Sequence, residues 1–400
     1  MKIKALVWVL FVAIFILPLN LAVLSIEEEN VPMADNAPMV DNAPFEINAK
    51  SAVLMCANTG QFIFENDSHT KRPIASVTKI MTMLLVMEAL EQKKISLDDV
   101  VTASEHACSM GGTQVYLAVG EEFTVHDLLK AVAVHSANDA SVALAEHIGG
   151  SEGVFVSLMN DKAKDLGMYD TNFLDCSGLT DEGHYSTAHD IALMALELST
   201  KHPLIFEYTT IRHDTFRSGT FDLDNTNHLI GRYRGMTGLK TGRTNASGYC
   251  LAATASRDGL DLISVVLGSE TNNTRFAETT KILDYGFSNY EIMLLNRKGE
   301  KVADVPVRKG LGSSIPVAYE TNQAILLKRG QKDKIMEEIS LPEYLNAPVT
   351  AGDRGGEVVI TLNNEAIQKI PLVTTGNIEK ATWLKMFWRL AVHWFSLARR

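Results

Sequence analysis

The stretch PIASVTKIMTMLLVMEAL, residues 73–90, decides how the rest of the sequence is interpreted. After Ser76 it is apolar nearly all round and contains neither Gly nor Pro, which is typical of a buried helix. Lys79 follows Ser76 at i+3, so the two side chains are expected on one face of the first turn. The spacing therefore predicts that an amine and a hydroxyl meet at the start of a buried helix.

This pair predicts nucleophilic catalysis, with Ser76 as the nucleophile and Lys79 as its base. A serine hydroxyl reacts poorly until a neighbouring base takes its proton, and no His-Asp pair has motif context in this sequence. Burial disfavours the lysine ammonium, and the positive end of the helix dipole acts in the same direction. The helix start also directs backbone N–H groups towards a developing oxyanion. The alternative is a simple N-cap serine.

A second S-x-x-K, Ser68-His-Thr-Lys71, has the same spacing in a different context. Ser68 lies in a polar loop, and Pro73 follows Lys71 closely, so a helix through both residues and onward is not expected. The context therefore favours Ser76.

Two further motifs follow in order, Ser136-Ala-Asn138 and Lys240-Thr241-Gly242. The first falls in a turn between two helical runs, where Ser136 can relay a proton and Asn138 can hold a peptide amide. The second is expected to be an edge strand across the cleft from Ser76. Its Lys240 and Thr241 would bind a substrate carboxylate, and Gly242 would permit close backbone approach. Taken alone, the first motif also fits a helix cap, and the second fits a turn.

Composition indicates a globular, acidic protein. Hydrophobic residues make up 46% and charged residues 21% of the 400 residues, as in proteins that bury a core. The formal charge of −11 argues against nucleic acid as a partner, because phosphate neutralisation needs clustered Lys and Arg. The four cysteines form no C-x-x-C pair, so their spacing indicates neither a zinc site nor a redox motif. Buried thiols are expected, although three complete pairings stay open in an oxidising compartment.

The layout along the chain predicts an α+β fold with two domains and distinct ends. Residues 1–25 carry early lysines and an apolar run, as in an export signal, with an uncleaved anchor as the alternative. Residues 26–48 contain a tandem repeat rich in Pro and acid, as in a linker. A hairpin, a block of helices and further strands over 49–290 predict an α+β domain, and because this domain contains all three motifs it is the expected catalytic domain. Short alternating segments over 291–376 predict a small all-β domain.

Residues 377–400 are expected to form a basic amphipathic helix. The polar stripe comprises Lys385, Arg389, His393, Ser396 and Arg400. The other face carries Trp383, Leu384, Phe387, Leu390, Ala391, Trp394, Phe395 and Ala398. A helix of this kind can lie on a membrane surface, and the alternative is a terminal helix packed on the body. The predicted location is the extracytoplasmic face of the cell membrane, with peripheral attachment.

The three motifs in this order resemble those of the penicillin-recognising serine enzymes. More narrowly, the sequence resembles the low-molecular-mass penicillin-binding proteins of the D-Ala-D-Ala carboxypeptidase family. Further segments that carry the resemblance include ISLDDVVTAS, SMGGTQVYL, SANDASVALAEHIGGSE, GHYSTAHDIALMA, NTNHL and GLKTG. The resemblance implies a penicillin-binding/β-lactamase-like transpeptidase domain with an antiparallel sheet and a helical cluster. A small all-β domain and a C-terminal amphipathic helix would follow it.

The resemblance also implies residue roles. Ser76 would form the acyl-enzyme, Lys79 would accept its proton, and Ser136 would join the proton relay. Asn138 would hold the substrate amide, while Lys240 and Thr241 would bind the terminal carboxylate. The backbone N–H groups of Ser76 and Arg243 would bind the oxyanion. Arg243 stands where His or an aromatic residue is expected, and Thr237 stands where Asp is often found, so substrate preference and rate are the properties most affected.

The expected function is removal of the terminal D-alanine from peptidoglycan stem pentapeptides, with β-lactams as covalent inhibitors and neither cofactor nor metal. A β-lactamase of the same fold is an alternative, but Glu182 lacks a following motif that would match it to a deacylating glutamate. A non-catalytic wall-binding scaffold is another alternative. A zinc peptidase using His184 and His189 is disfavoured because their spacing lacks H-E-x-x-H.

Overall fold

A computed structural model describes residues 45–180, 182–383, 385 and 387. The helices are α1 Lys79–Glu91, α2 Glu105–Cys108, α3 Val125–Lys130, α4 Asn138–Gly149, α5 Glu152–Asp165, α6 Ala188–Lys201, α7 Phe206–Thr209 and α8 Asn272–Asn289. The strands before α8 are β1 Ser51–Cys56, β2 Phe62–Asn66, β3 Val100–Thr102, β4 Glu122–Thr124, β5 His213–Phe216, β6 Phe221–Asp224, β7 Met236–Thr244, β8 Gly248–Arg257 and β9 Leu260–Ser269. The strands after α8 are β10 Tyr290–Asn296, β11 Lys301–Arg308, β12 Ser314–Tyr319, β13 Gln323–Lys328, β14 Ile335–Ser340, β15 Leu345–Asn346, β16 Arg354–Leu362 and β17 Glu365–Thr374.

A five-stranded antiparallel sheet in the order β2-β1-β9-β8-β7 forms the centre of the first domain. Successive side chains of a strand point to opposite faces, and both faces of β1 are buried. Val53 and Met55 join the core under the helical cluster, whereas Ala52 and Leu54 join the core on the other face. The expected hairpin of β1 and β2 and the α+β layout are confirmed. Strand β7 lies at the edge of the sheet.

Helix α1 fills the core of the helical cluster, as its composition predicts. Ile80, Met81 and Val86 point in three different directions around the helix, and none of them has any solvent exposure. Helix α8 covers the opposite face of the sheet through residues such as Ile282 and Leu283. Neither α8 nor the β5–β6 hairpin is among the elements predicted from the sequence.

The backbone departs from a regular α-helix at Ser76 and again just before Ser136. Ala75–Thr78 form a 3₁₀ turn that precedes α1. Helix α3 ends at Lys130, and the segment Ala131–His135 widens into a π-helix. Ser136 then adopts a left-handed conformation with φ of 70° before α4 begins. A π-helical turn often marks a functional site.

The second domain is built from strands, in line with the composition change near residue 290. Strand β10 begins at Tyr290, directly after α8, and β17 ends at Thr374. A six-stranded sheet has the order β14-β16-β17-β12-β11-β15, and β10 pairs with β13. Val305, Val317, Ile360 and Leu372 are among the buried residues of its core.

The predictions for both ends of the chain fall mainly outside the described residues. These are the export signal over 1–25, most of the linker over 26–48, and most of the helix over 377–400. Within the described part of the terminal segment, the rings of Trp383 and Phe387 stack with centroids 5.8 Å apart, and both are exposed. None of the helices that the structure describes is long and apolar enough to cross a membrane.

The cysteines carry free thiols in this structure. Cys56, Cys176 and Cys250 are buried, and Cys108 is partly exposed. Burial raises the pKa of the Cys250 thiol, which favours its unreactive protonated form.

Candidate active site

The 3₁₀ turn brings Ser76 and Lys79 together at the start of α1. Side chains at i and i+3 eclipse each other in a 3₁₀ turn, which aligns these two more closely than a regular α-helical turn would. The Lys79 Nζ atom lies 3.0 Å from the Ser76 Oγ atom. The predicted contact between amine and hydroxyl is therefore present.

Lys79 is completely buried and hydrogen-bonded to three segments of the chain. Besides Ser76, its Nζ atom donates to Asn138 Oδ1 at 2.6 Å and to the Ser177 carbonyl at 2.7 Å. Burial lowers its pKa to about 8, and the negative charges of Asp175 and Asp139 offset only part of this effect. The amine is thus positioned and tuned to accept a proton near neutral pH.

The loop after Asp175 supplies the carbonyl that binds Lys79. The Asp175 carboxylate accepts backbone N–H groups from Ser177, Gly178 and Thr180 at 2.5–2.8 Å. Burial alone would raise the pKa of Asp175, but the nearby His184 ring and the donors from Thr180 and Ser177 hold it at about 2. The carboxylate therefore stays ionised and fixes the loop.

His184 is buried beside the 3₁₀ turn that carries Ser76, and it contacts this turn through Thr78. Its Nδ1 atom accepts the Leu174 N–H at 3.2 Å, and its Nε2 atom lies 2.8 Å from Thr78 Oγ1. The Thr78 hydroxyl in turn donates to the Ala75 carbonyl at 2.8 Å. His189 has different surroundings, because its ring stacks on Phe62 with centroids 4.5 Å apart.

Among the described residues, Glu88, Glu197 and His202 are the group whose ligand atoms are close enough to share a metal ion. Lys162 already occupies this cluster, with its Nζ atom 2.6 Å from Glu88 and 3.3 Å from Glu197. These contacts make the cluster a salt-bridge network at the surface of α1, α5 and α6.

The second motif brings Asn138 to Lys79 and places Ser136 in the adjoining turn. Asn138 Nδ2 donates to the Gly111 carbonyl at 2.7 Å, which fixes the amide so that Oδ1 faces Lys79. Ser136 is buried, but the hydrogen bonds described for Lys79 go to Ser76, Asn138 and Ser177 instead. The relay role of Ser136 stays a prediction.

The third motif lies on the edge strand β7, directly against the Ser76 turn. A Cβ atom on Gly242 would lie 2.6 Å from the Ile74 carbonyl oxygen and 3.1 Å from the Ser76 nitrogen, so only glycine fits. Thr241 Oγ1 donates to Thr226 Oγ1 at 2.7 Å. The predicted convergence of the three motifs is therefore found.

Lys240 is buried, and the charged side chains that act on it, Lys79 and Arg275, are also cationic. Its Nζ atom donates to the Thr241 carbonyl at 3.1 Å. Burial lowers its pKa well below the ordinary value, and the charges of Lys79 and Arg275 act in the same direction. A substrate carboxylate would relieve this cationic cluster. Arg243 is exposed, and its guanidinium lies 5.3 Å from the centroid of the Tyr249 ring.

Arg275 on α8 is a site residue that was not predicted from the sequence. Its Nη1 atom donates to the Gly242 carbonyl of β7 at 3.1 Å and to the Cys250 carbonyl of β8 at 3.2 Å. Arg275 therefore links the two strands on the face of the sheet that α8 covers. Burial lowers its pKa to about 10. The available signal was weak: Thr271 followed by Thr274 marks a helix cap, and apolar residues recur at helical spacing further along.

Family models and individual relatives of this chain all point to one family. Residues 37–271 match the family described as D-alanyl-D-alanine carboxypeptidase, and residues 290–380 match the C-terminal domain of penicillin-binding protein 5. The chain is 43% identical over 350 residues to the D-alanyl-D-alanine carboxypeptidase DacF of Bacillus subtilis, covering 86% of this chain and 90% of DacF. It is 33% identical over 362 residues to DacC of Escherichia coli, covering 88% and 90% of the two chains.

Solved structures agree with this assignment. Penicillin binding protein 5 from Haemophilus influenzae superposes with a TM-score of 0.79 at 31% identity, covering 85% of this chain and 100% of that one. Penicillin binding protein 6B from Escherichia coli gives 0.70 at 29% identity, covering 83% and 96%. The predicted family, fold class and enzyme class are confirmed. The chain belongs to the D-alanyl-D-alanine carboxypeptidase family of low-molecular-mass penicillin-binding proteins, and it is a serine carboxypeptidase of peptidoglycan metabolism.

Proposed function

We propose that Ser76 is the acylated residue and that the reaction releases the terminal D-alanine of a stem pentapeptide. The observation that carries this proposal is the buried Lys79 amine, 3.0 Å from the Ser76 hydroxyl, with its pKa lowered to about 8. Neutral Lys79 takes the Oγ proton as Oγ attacks the carbonyl carbon of the penultimate D-alanine. The peptide C–N bond then breaks, and the departing amine receives a proton from Lys79 or through Ser136.

The remaining residues bind the substrate around this reacting pair. Lys240 and Thr241 bind the terminal carboxylate, since both lie on the strand that faces the Ser76 turn. Asn138 Nδ2 has a second N–H beyond the one given to Gly111, and this donor binds the substrate amide carbonyl. The N–H groups of Ser76 and Arg243 bind the oxyanion. Water then attacks the ester carbonyl, which frees the tetrapeptide acid and restores the Ser76 hydroxyl.

The test is incubation of the protein with benzylpenicillin, followed by intact-mass measurement and peptide mapping, alongside an assay of D-alanine release from a pentapeptide mimic. We expect a long-lived adduct on Ser76 and release of D-alanine. An adduct on Ser68 would contradict the assignment of the nucleophile. Rapid turnover of the penicillin would identify a β-lactamase, and absence of both adduct and product would identify a scaffold.

We also propose that the protein is exported and attaches peripherally to the outer surface of the cell membrane through residues 377–400. Support comes from the apolar run within residues 1–25 and from the exposed stacked rings of Trp383 and Phe387. The protein lacking 1–25 is expected to sediment with vesicles that contain anionic lipid, and further removal of 381–400 should abolish this. Equal sedimentation of both forms would contradict the proposal.

A further inference from the structure

A cavity of about 520 Å³ lies between the β5–β6 hairpin and the loop of residues 225–232. Its lining includes Arg212, His213, Asp224, Asn227, His228 and Arg232. None of these residues takes part in the reaction proposed above. We call this space the arginine cavity.

The arginine cavity adjoins the end of the catalytic cleft where the substrate carboxylate is expected. Thr226, in the same loop, accepts the hydrogen bond from Thr241 and donates its N–H to the Val134 carbonyl at 3.2 Å. Its neighbour Asn227 donates to the Gly238 carbonyl of β7 at 3.0 Å and also lines the cavity. One loop therefore borders both the edge strand and the cavity, on the side from which the leaving group departs.

The charges of the cavity favour an anion. Arg212 and Arg232 are exposed, and within the part of the chain that the structure describes neither forms an ion pair. The one acidic group of the lining, Asp224, is already bound by His213, with Oδ1 and Nδ1 2.9 Å apart. Hydrogen bonding to Asp224 raises the pKa of His213. Asp222, outside the lining, also lies 3.8 Å from His213 Nε2, so the cationic character of the cavity rests on the two arginines.

The cavity is larger than a single released D-alanine requires. A single small residue held at Thr241 does not extend past Thr226 into a separate space of this volume. A neighbouring peptide strand of the wall polymer does extend further, and such strands carry free carboxylates. The planar guanidinium group binds carboxylates through two parallel hydrogen bonds.

We propose that the arginine cavity binds carboxylates of a second peptide strand of the peptidoglycan polymer while the first strand occupies the active site. This inference rests on the proposed function, because it assumes that the cleft holds a stem peptide. The cavity then increases affinity for polymeric substrate through bivalent contact. A short soluble mimic does not reach the arginine cavity, so the cavity does not increase its affinity.

The test compares two substrates with the double variant Arg212→Ala/Arg232→Ala. We expect kcat/KM on soluble peptidoglycan fragments with linked pentapeptide stems to fall about tenfold, as for two lost carboxylate contacts at a partly solvated site. The kcat/KM for a short pentapeptide mimic should not change. The matched control is Arg234→Ala/Arg354→Ala, which removes the same charge from exposed positions and should leave both values as in the wild type.

Binding of the same fragments to protein pre-incubated with penicillin separates the cavity from the cleft. The wild type is expected to bind the fragments, and the double variant is expected to lose most of this binding. Fragments whose carboxylates have been converted to amides should bind neither protein. Equal behaviour of the double variant and its control, or an equal loss on both substrates, overturns the proposal. Failure of the wild type to release D-alanine from the short mimic would instead refute the proposed function.

Discussion

Replacing Lys79 with methionine is expected to slow acylation of Ser76 by a β-lactam about 10²–10⁴-fold, the usual contribution of a positioned general base. Methionine fills the space of the buried side chain but offers no proton acceptor. Because burial lowers the pKa of Lys79 to about 8, roughly a tenth of the molecules hold a neutral amine at pH 7. At the ordinary pKa of 10.5 this fraction would be roughly 300-fold smaller. The measurement is the rate of adduct formation by mass spectrometry.

Lys71→Met is the matched control, because Lys71 ends the other S-x-x-K motif of the chain. Its amine lies 3.2 Å from Asp170, and the side chain is half exposed. The control is expected to acylate at the wild-type rate. If Lys79→Met also acylates at that rate and keeps its thermal melting transition, Lys79 is not the base.

The pH dependence of the wild type follows from the same amine. Only the deprotonated form of Lys79 accepts a proton, so the acylation rate is expected to rise with pH and to level off above about 8. Below that value the rate should change about tenfold per pH unit, in step with the neutral fraction. A flat profile from about pH 6 to about pH 9 would contradict this assignment.

The features that could be predicted from the sequence are those encoded by local pattern. The unbroken apolar run of α1 predicts burial on all sides, and the short spacing between Ser76 and Lys79 requires them to meet wherever the turn lies. The position of β7 at the sheet edge was expected from the motif and its following strand. These features depend on neighbours in sequence, so a single chain is enough to find them.

The features that could not be predicted depend on packing between distant segments. Asp175 and His184 act through a carbonyl and a hydroxyl next to the reacting pair, and nothing in their own spacing indicates this. The π-helix before Ser136 cannot be recognised from the sequence, because AVAVH continues the helical pattern of α3. Helix α8 was missed because its first turn is polar and its buried stripe is narrow, and Arg275 was missed with it.

Lys240→Met is expected to separate activity from stability. Lys240 is buried beside Lys79 and Arg275, and its amine donates one hydrogen bond, to the Thr241 carbonyl. Replacing a buried lysine that has no acidic partner among the described residues by an apolar side chain of similar size removes the free-energy cost of keeping its charged form out of water. We therefore expect the melting temperature of the variant to equal or exceed that of the wild type. Removing the cation should nevertheless lower kcat/KM for a carboxylate-terminated peptide about 10²-fold, since a buried charged contact is worth several kcal/mol to binding.

Stability measured as a function of pH, and activity measured on a peptide and an ester substrate, test whether Lys240 acts through its charge. The folded-state pKa of Lys240 is lowered, so the wild type gains stability as pH rises towards the ordinary lysine value, and the stability difference from the variant should shrink. An ester substrate without a terminal carboxylate should react equally with both proteins. Lys281→Met, at a partly exposed lysine paired with Glu278, is the control and should keep full activity on the peptide. An equal loss on peptide and ester, or a large fall in melting temperature, would mean that Lys240 serves the fold and does not bind the carboxylate.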